Sequence, residues 1–112
     1  MNAYSEIAAD DLFNLMKDQA LLLVDVRNDD EVALGIIAGA IHIPLAMLPA
    51  QFDALPHKKN LVFYCHSGIR SAHAAAFAAN RGCKNVLNLT GGILAWGKAG
   101  LAFVAKAENN KK

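Results

Sequence analysis

A chain of 112 residues, 54% apolar and 19% charged, holds one domain, is too apolar to be disordered, and buries about two-thirds of its unfolded surface without needing a metal or disulfide staple. A formal net charge of +1 argues against a nucleic-acid binder built on overall basic charge. Two cysteines are too few for a disulfide scaffold. The charges are unevenly placed: most acids lie in residues 1–31 and most lysines and arginines in residues 54–112. An ordinary molecular dipole is the plain reading. The sharper one is that a site in the second half sits in a potential favourable to anions.

The opening MNAYSEIAADD lacks both a basic and an apolar region of the kind a signal peptide carries. Val32 to Phe52 contains no Lys, Arg, Asp or Glu, but Gly35, Gly39, His42, Pro44, Pro49 and Gln51 interrupt it, so buried elements with turns are expected rather than a spanning helix. The expectation is a monomer in the cytoplasm, with reduced thiols, no membrane contact and no nucleic-acid partner. Residues 1–106 are expected to form the domain, and 107–112 a frayed polar tail.

In chain order, Asp10 to Lys17 suits a short amphipathic helix, with Asp10 and Asp11 favourable in its first turn. Leu21-Leu22-Leu23-Val24 reads as a strand buried on both faces. Asp29 to Leu34 predicts a brief helix ended by Gly35, and Ala40 to Ile43 a short strand stopped by Pro44. Leu48 to Leu55 predicts one or two helical turns between Pro49 and Pro56. Leu61-Val62-Phe63-Tyr64 is a further strand, followed by a loop and an alanine-rich helix from Arg70 to Arg81, with Gly82 past its end. Asn85 to Leu89 reads as a strand, Gly91-Gly92 as a break, and Ile93 to Lys98 as a final helix. Strands alternating with helices predict an α/β domain: a central, mostly parallel sheet of about five strands with helices on both faces.

Chemistry concentrates in Cys65-His66-Ser67-Gly68-Ile69-Arg70-Ser71. In open α/β sheets, sites form beyond the carboxyl ends of strands, and Cys65 is the first residue there. A short loop opening a helix turns its amides toward one point, with the helix dipole behind them. Such a nest holds an anion and stabilises a thiolate. Gly68 lets the backbone turn, and Arg70 adds a forked cation for an oxyanion. The plain alternative is a buried filler cysteine beside a surface arginine.

These segments resemble the rhodanese family in its small single-domain form. The cysteine loop is similar to the rhodanese active-site loop. Leu23-Val24-Asp25-Val26-Arg27 resembles the family's Asp-x-Arg strand end, and Glu31 stands where a glutamate is usual. Gly39-Ala40-Ile41-His42-Ile43-Pro44 and Asn88-Leu89-Thr90-Gly91-Gly92-Ile93-Leu94-Ala95-Trp96 resemble two further signatures. Gly35-Ile36-Ile37 departs from a usual Gly-His-Ile, and Ala8-Ala9 stand where a Ser or Thr cap is usual; both bear on local packing. The resemblance implies a sulfurtransferase. The Cys65 thiolate takes sulfane sulfur from a small anionic donor such as thiosulfate, holds it as a persulfide in the amides of His66 to Ser71, and passes it to cyanide, a thiol or a protein. Arg70 then holds the donor, and no metal or organic cofactor is implied.

Three rivals remain on the same residues. Phosphatases and arsenate reductases of related fold use Cys-x5-Arg, whereas this loop is Cys-x4-Arg, one residue short and better sized for one sulfur atom. A sulfur carrier or interaction module with little thiosulfate turnover is the second. The third is a metal site from Cys65, His66, His73 and Cys83, whose spacing matches no zinc pattern. Cys83 is expected at the far end of the helix after the loop, out of disulfide reach of Cys65. By resemblance Asp25 and Arg27 support the loop; the equal alternative is an ion pair of Arg27 with Asp25 or Glu31. Trp96 is expected in the core, as is the stripe Leu45, Met47, Leu48. His42 and His66 are weak signals, and Lys58-Lys59 suits a solvated turn.

Overall fold

The computed structural model describes residues 4–18, 20–55 and 60–106. The expected tail, Pro56 and the Lys58-Lys59 turn lie outside the described residues. Ser5–Ile7 forms β1, Ala9–Asp18 α1, Leu21–Asp25 β2, and Asp29–Val32 α2. Asn28 caps α2 reciprocally, its backbone N–H donating to the Glu31 side chain at 3.0 Å. β3 is only Ile41–His42, shorter than the expected Ala40 to Ile43.

The one or two helical turns expected from Leu48 to Leu55 are α3, Leu48–Gln51, and a 3-10 turn at Phe52–Ala54, and a further 3-10 turn, Leu45–Met47, precedes them. This corrects the apolar stripe. A three-residue repeat brings Leu45 and Leu48 to one side, where Leu48 is buried, and turns Met47 out to solvent. Asn60–Tyr64 is β4, Ile69–Asn80 α4, Val86–Leu89 β5 and Gly92–Lys98 α5.

All five strands are parallel, in the order β1-β5-β4-β2-β3. β2 and β4 lie side by side from Leu21 opposite Asn60 to Asp25 opposite Tyr64. Successive residues of a strand face opposite sides, which divides the core in two. Leu61, Phe63 and Cys65 join Val24, Val26, Phe52 and the α4 alanines Ala74, Ala75 and Ala78 on one face. Val62 and Tyr64 join Leu23, Leu12 of α1, Ile36, Ile37 and Trp96 of α5 on the other. Burial on both faces explains why these strands read as unbroken apolar runs. Trp96 is the expected core anchor, its indole N–H donating to the Ala102 carbonyl at 3.0 Å. Among the described residues, no helix is long and apolar enough to cross a membrane.

The chain leaves β2 toward β3 and leaves β4 toward β5, in opposite directions along the sheet. Such a reversal opens a crevice at the strands' carboxyl ends. Arg27 follows β2 there, and Cys65 follows β4.

Candidate active site

Cys65 is 1% exposed and packs in the core beneath α4. To that extent it is the buried cysteine of the plain alternative. Its sulfur, however, is a hub. Sγ accepts the Gly68 N–H at 3.1 Å, the Ser71 N–H at 3.4 Å and the Ser71 hydroxyl at 3.4 Å. Burial alone would push the thiol up. Hydrogen bonds from the Ser71 side chain and from the Ser71, Gly68 and Ser67 amides outweigh it and hold the thiol below its ordinary 9.0. The turn that aims these amides needs a left-handed residue, and Gly68 supplies it at φ +104° as it opens α4.

The loop is seated on the start of α5. The Ile93 N–H donates to the Cys65 carbonyl at 2.9 Å, and the Leu94 N–H to the His66 carbonyl at 3.2 Å. This approach requires Gly92: a Cβ there would lie 2.4 Å from the Cys65 carbonyl oxygen and 2.5 Å from that of His66. Asn88 braces the loop from β5, its amide donating to the Gly68 carbonyl at 3.2 Å and to both Glu6 oxygens at 3.1–3.2 Å. Sequence reasoning read Gly91-Gly92 as a break and gave Asn88 no role of its own. The adjacent glycines were the signal for close backbone approach.

Asp25 and Arg27 form a buried ion pair under the crevice. The Asp25 carboxylate accepts from Arg27 Nε at 3.0 and 3.1 Å, from Nη2 at 2.8 Å and from the Arg27 backbone N–H at 2.9 Å. Arg27 also donates to the Gly35 carbonyl at 2.7 Å and to the Glu31 backbone carbonyl at 3.4 Å. Burial would lower the Arg27 pKa; the hydrogen bonds and charge of Asp25 more than reverse this and raise it. His42 braces the same turn, its Nε2–H donating to the Arg27 carbonyl at 2.7 Å.

Arg70 is held elsewhere. Its two terminal nitrogens donate to the two Glu31 oxygens at 2.7 and 2.8 Å, a bidentate clasp across 39 residues of sequence. The clasp holds the Glu31 carboxyl down to about 2; the Asn28 amide assists and partial burial opposes. Of the two ion-pair partners open to Arg27, its carboxylate is Asp25, while the Glu31 carboxylate goes to Arg70. The Cys65 sulfur also favours the charged guanidinium of Arg70, after Glu31.

A cleft of about 290 Å³ opens beside the loop, lined by polar Arg27, Glu31 and His66 and by apolar Leu34, Ile93 and Phe103. His66, Ser67 and Ile69 are exposed, and Ser71 is buried. His73 is an exposed residue of α4. Cys83 follows the far end of that helix, in no disulfide, its thiol pushed up by burial. Among the described residues, no three His, Cys, Asp or Glu side chains gather as a metal-binding group.

A parallel α/β domain carrying a cysteine loop at its topological switch point is the class that fold and site together define. The rhodanese-like domain profile matches residues 8–99. A sulfurtransferase of Allochromatium vinosum is 39% identical over 102 residues, covering 90% of this chain and 95% of its own. The putative sulfurtransferase YtwF of Bacillus subtilis is 42% identical over 79 residues, 70% of this chain and 76% of its own. The crystal structure of a rhodanese-related protein from Thermoplasma volcanium superposes with a TM-score of 0.84 at 35% identity, covering 90% of this chain and 98% of that one. The chain belongs to the rhodanese family.

Proposed function

We propose that this protein is a sulfurtransferase that carries sulfane sulfur as a persulfide on Cys65. The observation that carries the reading is the convergence of three donors, from Gly68 and Ser71, on the Cys65 sulfur. They lower the thiol's pKa and remain to receive the charge of a persulfide. Two relatives named as sulfurtransferases support it.

In the first half-reaction the Cys65 thiolate attacks the outer sulfur of thiosulfate. The new S–S bond forms as the old one breaks, and sulfite leaves with the bonding pair. In the second, cyanide or a thiolate attacks the outer sulfur of the persulfide, and the Cys65 thiolate departs. His66 to Ser71 form the cradle. Arg70 orients the anionic donor with the N–H groups that Glu31 leaves unoccupied. Asp25 and Arg27 hold the crevice floor. The chemistry calls for no metal or organic cofactor. It calls for a reducing compartment, the cytoplasm being the expected one, and a monomer within residues 1–106 suffices because one chain supplies every group named.

Intact mass after incubation with thiosulfate tests the reading. A gain of one sulfur atom, removed by cyanide and absent in Cys65→Ser, is the expected result, because a hydroxyl is a far poorer sulfur acceptor. Sulfur transfer retained in Cys65→Ser would overturn it. Loading without multiple turnover would favour a sulfur carrier serving a protein acceptor.

A further inference from the structure

Arg70 is the only lysine or arginine between Cys65 and Ser71, and it is clasped at 2.7 and 2.8 Å by both oxygens of Glu31. Glu31 is itself fixed, its Oε1 accepting the Asn28 N–H at 3.0 Å. The second arginine at the crevice, Arg27, is paired with Asp25. Both guanidinium charges at the crevice are therefore paired with carboxylates in contact with them. An incoming anion meets hydrogen-bond donors, but little net positive charge from these side chains. A doubly charged donor loses most by this, because the attraction scales with its charge.

The neighbouring cleft offers the opposite chemistry. Leu34 at its edge is 90% exposed and Phe103 is 40% exposed. Phe103 is no loose end. The chain after α5 is tied back by the Trp96–Ala102 hydrogen bond and by a bridge in which Ile36 and Val104 exchange two backbone hydrogen bonds at 2.8 Å. The cleft's volume of about 290 Å³ is room for about ten waters at roughly 30 Å³ each, well beyond the needs of an ion the size of thiosulfate.

Building on the sulfurtransferase reading, we propose that Glu31 sets donor choice. By cancelling Arg70 it disfavours a doubly charged inorganic donor and favours a singly charged sulfane donor, an organic persulfide, whose carbon body lies on Leu34, Ile93 and Phe103. The transfer balances as before: the Cys65 thiolate sulfur bonds to the outer sulfur of R–S–S⁻, the S–S bond between that sulfur and the inner one breaks, and R–S⁻ leaves with the electron pair.

Three stable donors test this in the full chain: thiosulfate, with two charges; methanethiosulfonate, with one charge and a methyl group; and benzenethiosulfonate, with one charge and a phenyl body. Each thiosulfonate gives up its outer sulfur and leaves as the sulfinate. Glu31→Gln, which retains one acceptor for Arg70, and Glu31→Ala are each expected to lower KM for thiosulfate about tenfold, while KM for benzenethiosulfonate changes less than about threefold. Phe103→Ala is expected to raise KM for benzenethiosulfonate about fivefold and leave methanethiosulfonate nearly unchanged. A thiosulfate-to-benzenethiosulfonate ratio unmoved in both Glu31 variants overturns the proposal. So does a Phe103→Ala variant that treats the two thiosulfonates alike. If none of the three donors loads sulfur onto wild-type Cys65, the sulfurtransferase reading itself fails.

Discussion

Arg27 and Arg70 each meet a carboxylate at hydrogen-bond distance, 2.8 Å for Arg27–Asp25 and 2.7 Å for Arg70–Glu31. The side chains of the first pair are 3% and 0% exposed, those of the second 33% and 28%. Burial makes them different devices. In the crevice floor, water is excluded and neither charge survives without the other, so the Asp25–Arg27 pair acts on the fold. At the rim, water screens both partners and the pair adds little to stability. What the rim pair changes is the charge that an approaching molecule meets. One arginine is built into the floor and the other stands at the rim, although each is a guanidinium on a carboxylate.

Removing the floor carboxylate should have the largest effect. Asp25→Ala leaves the Arg27 charge buried and unpaired, which is expected to remove about 3–5 kcal/mol of stability. Urea titration measures it, and a loss as small as that expected at the rim would erase the contrast.

At the rim, Arg70→Ala is expected to cost less than about 1 kcal/mol of stability while raising KM for thiosulfate about tenfold, since it removes donors and leaves the Glu31 charge bare. Steady-state kinetics beside a denaturation curve checks both halves. An unchanged KM would put Arg70 outside the donor's reach.

The smallest effect belongs to acid. Arg70 holds the Glu31 carboxyl at about 2, below its ordinary 4.5. A carboxyl lowered by folding contributes stability that is whole above its unfolded value and lost as pH falls toward the folded one. The stability difference between wild type and Glu31→Gln should therefore shrink between about pH 4.5 and pH 2, by less than about 1 kcal/mol in all. A constant difference across that window would mean that the clasp does not form in solution.

Much of the fold was legible because strong local patterns agreed with the tertiary structure. The runs at Leu21 and Leu61 are unbroken because both faces of their strands are covered. The alanines between Arg70 and Arg81 favour a helix wherever they are placed, and α4 began one residue early, at Ile69. β1 went unseen. Its three residues, Ser5–Ile7, carry no apolar alternation, and they are ordered by pairing with Leu87, Asn88 and Leu89 at the other end of the chain.

The sequence by itself determined an α/β chain with a cysteine at a strand end, a glycine able to turn the next loop, and a helix behind it. These rest on neighbouring residues, whose geometry follows from backbone sterics and periodicity. Only the tertiary structure decided which carboxylate meets which arginine. Asp25 and Glu31 were both near enough in sequence to serve Arg27, and the choice depended on α2 presenting Glu31 to Arg70 across the crevice. It likewise decided that Gly92 bears the weight of the cysteine loop, since the clash that excludes a side chain there involves carbonyls far back along the chain. Contacts between distant segments carry little local signature, because they depend on where folding brings two surfaces together.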